Sequence, residues 1–426
     1  MTSLARRPRL QLLASVAAFA VLALCAGASA QDKITLHFAN WASAEGTTKD
    51  AINKAITDFE ASHPNITIES ESISFSEIAH QLVLRARSGN PPDVAQISGN
   101  DTILLASTGA LEPLDSYVDA SLKANIKPGA LSGLSVNGKL IAFPWNQSPA
   151  GLWYNKKIMA AAGLDPNKPP STIDELTADL EAIKKSQPDV IPLGIDTTNR
   201  AFALTSNWPW MQTFGAKPIG EGATGANSPE MKAYLTWMRK LAQEGLMDPG
   251  RKIGEFRPLA AQDKVAFDWD QVLLQGVIQG ANHMSADDFY KTWGVTSMPV
   301  GPEGKAHSFE GGHQLIMFAK GAHKDAAWAF IKYLATDPAV ISNYTLGVSS
   351  SLPSVVSTGD ATLDAKLNTP IFDAFAKKVI PTISEQPYGP AFAQASTAVM
   401  AGVQEAVTGQ TPIDDIAASI QQQLPH

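Results

Sequence analysis

KITLHFANWASAEGTTKDAINKAITDFEASHPNITIESESISFSEIAHQLVLRARSGNPPDVAQIS, residues 33–98, carries the decision about the fold. It opens on KITLHFAN (33–40), where Ile34, Leu36 and Phe38 alternate on one face as a half-buried strand requires. Ala51, Ile52, Ala55, Ile56 and Phe59 then recur at helical spacing, and SHPN stops that helix. ITIESESI (66–73) alternates again, a second helix carries Leu82 and Val83, SGNPPD breaks it, and DVAQIS (93–98) predicts a third strand. Strand–helix–strand–helix–strand order predicts parallel strands joined by crossover helices, an α/β class. Such sheets bind ligands beyond the carboxyl ends of their strands, here Asn40–Glu45, Ser74–Phe75 and Ser98–Asp101.

Further along, NGKLIAFP (137–144) leads into AFPWNQSPAGLWYNKKIM (142–159) and a second α/β region. A helix at 172–186 starts on a Thr172-x-x-Glu175 capping box, and another near 229–244 has Ser228 as cap, Pro229 in its first turn and Gly245 beyond its end. KVAFDW (264–269), GVTSMP (294–299) and HQLIMFAK (313–320) read as strands. Ala327, Ile331 and Leu334 mark the inner face of an amphipathic helix, and the C-terminus is helical at about 390–408 and 413–423.

The N-terminus sets the compartment. Arg6, Arg7 and Arg9 precede an apolar run that closes on Ala28-Ser29-Ala30, the pattern of a secretory signal peptide cleaved after Ala30. Cys25, the single cysteine, lies inside that segment, and Leu24 before it is too large for a lipoprotein signal. The mature chain is therefore expected to lack disulfides, thiol nucleophiles and thiolate metal sites. Losing the three arginines takes the formal charge from −8 to −11, which disfavours nucleic acid and anionic membrane as partners. The 396 residues left of 426 exceed the size of one usual core, so two lobes are expected.

Catalytic signatures are weak. Gly220-Glu-Gly-Ala-Thr-Gly225 matches a dinucleotide string, but no strand precedes it and no helix opens within it; a surface loop is the better reading. The eight histidines never fall at metal-ligand spacing within one element. Instead, Trp41, Trp145, Trp208, Trp210 and Trp269 sit beside Asn, Gln, Asp or Pro at predicted element ends. Aromatic faces suit the C–H faces of sugars, and amides and carboxylates suit the hydroxyl rim. Core packing competes for each tryptophan, and Trp153, Trp237 and Trp328 are assigned to it. In FDWDQ (267–271), Asp270 is a hydroxyl acceptor beside a stacking Trp269, or else a helix cap. FEGGHQ (309–314) offers Gly311 and Gly312 for close backbone approach to a ligand or for large dihedral changes, or an ordinary turn.

FANWASAEG, FEASHPNITIE, SGNPPDV, NGKLIAFPWNQSPAGLWYNKKIMAAAGLDP, DKVAFDWDQ, FEGGHQLIMFAKGAHKDAAWAFIKYLATDP and LGVSSSLPS together resemble one family along essentially the whole mature chain. The chain resembles an extracellular solute-binding protein of carbohydrate-uptake ABC systems, the cluster containing maltose-binding and glycerol-phosphate-binding proteins. The resemblance implies a two-lobed periplasmic-binding-protein fold, each lobe a mostly parallel sheet flanked by helices. It divides the chain into a first lobe at 31–144, a second lobe mainly at 145–309, a return to the first at 310–355 and a helical end of the second at 356–426. Crossing segments fall at about Pro144–Ser148, at Glu310–Gln314 and after LGVSSSLPS.

The implied ligand contacts are Trp41, Ser43 and Glu45 on the first loop, Phe75 on the second, and Asn100 and Asp101 on the third. Trp145, Asn146, Ser148, Gly311, Gly312 and His313 lie at the hinge, and Trp208, Trp210, Trp269, Asp270 and Phe392 in the second lobe. Against the maltose pattern, a serine and a single acid replace a charged pair, and Asp101 stands where that pattern carries arginine, so maltodextrin is not the expected ligand. Glu45, Asp101 and Asp270 favour a neutral over a phosphorylated solute, with Arg200 and Arg257 the nearest exceptions. The implied partners are permease subunits in the inner membrane. The protein is expected to be a monomer without metal or cofactor, and the ATPase alone to use ATP. A secreted glycosidase or lyase, which would need two carboxyls at fixed separation, and an adhesion module are the alternatives.

Overall fold

The computed structural model describes Met1, Thr2 and residues 33–127, 130–131, 133–388 and 391–425. The expected signal peptide, its cleavage point and Cys25 lie outside the described residues. In chain order, β1 (Ile34–Asn40), α1 (Lys49–Ser62), β2 (Ile66–Ser72), α2 (Phe75–Ser88), β3 (Val94–Ser98) and α3 (Gly99–Ala106) form the opening unit. Then come β4 (Phe143–Pro144), β5 (Asn146–Gln147), β6 (Ala150–Asn155), α4 (Ile173–Ser186), β7 (Ile191–Gly194), α5 (Ala201–Thr213) and α6 (Pro229–Gln243). These are followed by α7 (Ile253–Ala261), β8 (Val265–Gln271), β9 (Trp293–Thr296), β10 (His313–Met317) and α8 (Lys324–Thr336). The last elements named are β11 (Leu352–Pro353), α9 (Phe392–Thr408) and α10 (Ile413–Gln423).

Two sheets result. The first has the order β2-β1-β3-β10-β4, with β1 parallel to both β2 and β3, and β10 antiparallel to β3 and β4. The second has the order β9-β6-β8-β7; β8 and β7 are parallel, and β6 runs against β8 and β9. Alternation in β1 buries Leu36 and Phe38 under α1, whose Ile52, Ala55, Ile56 and Phe59 face inward as the helical spacing predicts. β6 and β8 are buried along their whole lengths, because helices cover both faces of the second sheet.

Local signals hold where they rest on capping. The Thr172 hydroxyl accepts the Glu175 N–H at 3.1 Å, and Ser228 accepts that of Met231 at 3.2 Å. The capping box is half made: the Glu175 carboxylate takes the Ser171 N–H and hydroxyl. The Gly220–Gly225 string is a loop closed by Thr224 N–H donating to the Lys217 carbonyl, between α5 and α6.

Three stretches of chain connect the sheets. β5 pairs antiparallel with β11, Asn146 opposite Pro353 and Gln147 opposite Leu352, and Pro149 bridges Glu310. The expected boundary at 355–356 is corrected. Val355 pairs with Ile126, the Asn125 amide exchanges two 3.0 Å bonds with the Ser357 backbone, and Leu363 is buried in the first core. Packing on the second sheet resumes with Ile371 and Phe375, against Trp153 and Val295.

Candidate functional site

The carboxyl ends of β1 and β3 build one wall. Trp41 is buried with its edge against Phe75 (ring centroids 5.2 Å) and against His313 (4.9 Å), while Phe75 stands 41% exposed at the rim. Ser43 is held inside the lobe, its hydroxyl 2.8 Å from both Asn40 Oδ1 and Ser70 Oγ. Glu45 stands at the loop tip, where desolvation on its protein side raises its carboxyl above the ordinary range. Asn100 lies in the first turn of α3, and Asp101 accepts the Ser98 hydroxyl at 2.6 Å.

Beneath that wall, Gln96 fixes the state of His313. Gln96 Oε1 accepts the Ala42 N–H at 3.1 Å, so its Nε2 is the donor that faces His313 Nδ1 at 3.1 Å. Burial lowers the imidazole to about 4, so the ring is neutral and carries its proton on Nε2. His313 is thus a fixed neutral donor.

The hinge is laced by backbone. Asn146 Oδ1 accepts the His313 N–H at 2.9 Å, and the Ser148 carbonyl accepts from Gly311 N–H and from Gln271 Nε2. A Cβ at Gly311 would overlap the Gln271 amide, and one at Gly312 the Asn146 carbonyl; the two glycines allow close approach to these protein groups, not to a ligand. Trp145 does not line this floor. It is wholly buried in the first core, stacked on Tyr344 at 4.5 Å with its N–H on the Leu334 carbonyl.

The second lobe departs furthest from expectation. Trp269 is wholly buried between Trp210 (5.5 Å, edge to face) and Phe309 (6.3 Å), and its N–H donates to the Ser206 carbonyl at 2.9 Å. Trp210 is itself stacked on Trp237 at 5.3 Å. Neither ring offers a free face, because both belong to the core under β8. Asp270 is not a free hydroxyl acceptor either. Arg257 grips it with two bonds, Nε at 2.8 Å and Nη2 at 3.0 Å. On the same face Asp268 is buried with no hydrogen bond to either oxygen among the described residues; desolvation and the Asp270 charge push it well above the carboxylate range. Arg200 is likewise paired, with Asp196, and lies over the Phe202 ring at 5.1 Å. Trp208 is buried and bonds the Glu385 carbonyl. Phe392 is buried against Tyr388 (5.1 Å), whose own ring lies 3.7 Å from the Cβ position of Gly99 across the interlobe cleft.

The family model for bacterial extracellular solute-binding proteins matches residues 45–341. The chain belongs to this family. As a solute-binding protein it is a binder and not an enzyme. A putative binding protein of Brucella abortus is 24% identical over 326 residues, 75% of each chain. The sn-glycerol-3-phosphate-binding periplasmic protein UgpB of Brucella suis is 26% identical over 269 residues, covering 60% of this chain and 61% of that one. Among solved structures, an ABC transporter solute-binding protein from Thermotoga lettingae bound with α-D-tagatose superposes with a TM-score of 0.76. It is 21% identical and covers 93% of this chain and 100% of its own.

Within this solute-binding protein the structure gathers Phe75, Asp101, His313 and Tyr388 around the cleft, with Trp41 and Gln96 buried behind them. Gln96 and Tyr388 were not anticipated from the sequence. Gln96 sits in the middle of an apolar strand, where a lone amide is itself a signal. Tyr388 precedes α9 in YGPAF and gives none. Arg257 was noted only as a possible anion holder, although its pairing with Asp270 is what removes FDWDQ from the open surface.

Proposed function

We propose that this protein captures a neutral carbohydrate in the periplasm and, as a monomer, delivers it to the permease subunits of an ABC importer. One observation supports the neutral class above others. Both second-lobe arginines near the cleft are already neutralised by aspartates of their own lobe, Arg257 by Asp270 and Arg200 by Asp196. An anionic solute would have to break a buried, bidentate pair to reach Arg257. Phe75, backed by the buried Trp41, supplies apolar ring surface, and the neutral His313, fixed by the buried Gln96, supplies a polar donor. The solved Thermotoga relative holds a sugar, which fits the same class. The pair Asp268 and Asp270 does not favour hydrolysis, since neither reaches solvent.

Thermal-shift measurement tests this. A neutral sugar or polyol from a panel including α-D-tagatose and maltose should raise the melting temperature most. Saturation near a hundred times Kd adds about 2.7 kcal/mol. A larger shift with sn-glycerol 3-phosphate than with every neutral solute overturns the neutral class.

A further inference from the structure

Glu310, on the second crossing, holds a position that solute recognition does not explain. It follows Phe309, which packs in the second core, and precedes the two glycines that lie against the first crossing. Its Oε1 accepts the Ser148 N–H at 2.6 Å and the Gly312 N–H at 2.8 Å, so one oxygen fastens two interlobe segments. Its Oε2 is buried and has no hydrogen-bond partner among the described residues. Two titratable groups act on it through charge: Lys127 from the first lobe, and Tyr388 from the second, which also feels Asp101. Ser148, Gln271 and the two glycines around it bring no charge. A carboxylate with one bare oxygen in a dry site is costly when ionised, and a proton on that oxygen relieves the cost.

We propose that Glu310 is a proton-operated latch of the interlobe hinge, binding the crossings in the closed arrangement when protonated and loosening them when it ionises. The proposal rests on the reading that solute is captured by lobe closure. Burial pushes Glu310 up to about 7, against the backbone N–H bonds of Ser148, Gly312 and Gly311 and the charge of Lys127, which pull it down. Lys127 is lowered by burial to about 8, so it stays largely charged while Glu310 titrates, and His313, at about 4, stays neutral.

The direction follows from linkage. A carboxyl whose folded value lies above its ordinary 4.5 holds its proton more tightly folded than unfolded. The stability it contributes is present on the acid side and is lost as pH rises through about 7. In this proposal opening admits water to the bare oxygen, which removes the desolvation that holds the proton, so the open form releases it at lower pH. Closure therefore takes up a proton in this window, and solute affinity falls by up to about tenfold per pH unit as pH rises across it.

The test uses the mature protein without solute. Between about pH 5 and 8 the wild-type melting temperature should decline through neutrality relative to Glu310→Gln, which keeps the Oε1 acceptor and cannot ionise. Lys127→Met should move the midpoint of that decline upward by removing the opposing charge. The apo radius of gyration should be smaller on the acid side in wild type and independent of pH in Glu310→Gln. Identical melting profiles in the two proteins, or a wild-type radius unchanged across the range, overturn the latch. Calorimetric titration with maltose and α-D-tagatose adds the solute arm: proton uptake on binding in wild type and none in Glu310→Gln. If neither sugar binds, the choice of solute has failed, while the solute-free measurements still decide the latch.

Discussion

Trp269 and Asp270 show how little a single residue reveals without its neighbours. In FDWDQ the alternation is correct: Phe267 and Trp269 face one side of β8, and Asp268 and Asp270 the other. What the spacing could not tell is that both sides are covered. The ring meets Trp210 and Phe309, and the carboxylate meets an arginine thirteen positions earlier. Trp269→Ala should therefore cost about 3–5 kcal/mol of stability in denaturant unfolding. Asp270→Asn should cost a similar amount, about 3–5 kcal/mol, because it leaves the Arg257 guanidinium buried without its counter-charge. Solute affinity of the molecules that remain folded should be near native in both. Phe75→Ala should do the opposite, leaving the apo melting temperature almost unchanged and weakening affinity by about 1 kcal/mol, since that ring is exposed at the rim. Native affinity in Phe75→Ala would remove the first wall from the site.

Elements with a period were legible. β1, β2 and β3 lie within a few residues of their predicted limits and α1 and α2 fall where their apolar positions indicate, because alternation or helical spacing on one face announces them. The hinge was not legible in the same way. β4, β5 and β11 have two residues each, too few to show a period, and their pairing joins positions about two hundred apart in the chain. Only the doubled glycine of FEGGHQ hinted at the close approach. Gly312→Ala should force the second crossing away from the Asn146 carbonyl and cost about 1–3 kcal/mol, as overpacking does. A matching substitution at Gly280, where a Cβ meets open space, should be tolerated. Equal melting temperatures for the two variants would show that the crossings are not tightly apposed.

At the scale of the whole molecule, the first sheet is completed by a strand that arrives late. β10 lies between β3 and β4 in space but follows the entire second sheet in sequence. Two lobes hinged in this manner should contract on binding solute, and small-angle scattering should report a smaller radius of gyration at saturation. An unchanged profile would indicate a rigid cleft. The interleaving also dictates an order of assembly. A nascent chain that has emerged only as far as Thr296 holds every strand of the second sheet. Its first sheet then still presents β3 with an unpaired edge and Leu315, Ile316 and Met317 missing from its core. The sheet begun first is thus closed only after every strand of the second is in place, while the second lobe's own α9 and α10 follow later still. A chain stalled or cut before Met317 would leave that edge free to pair with a neighbouring molecule, a ready start for aggregation.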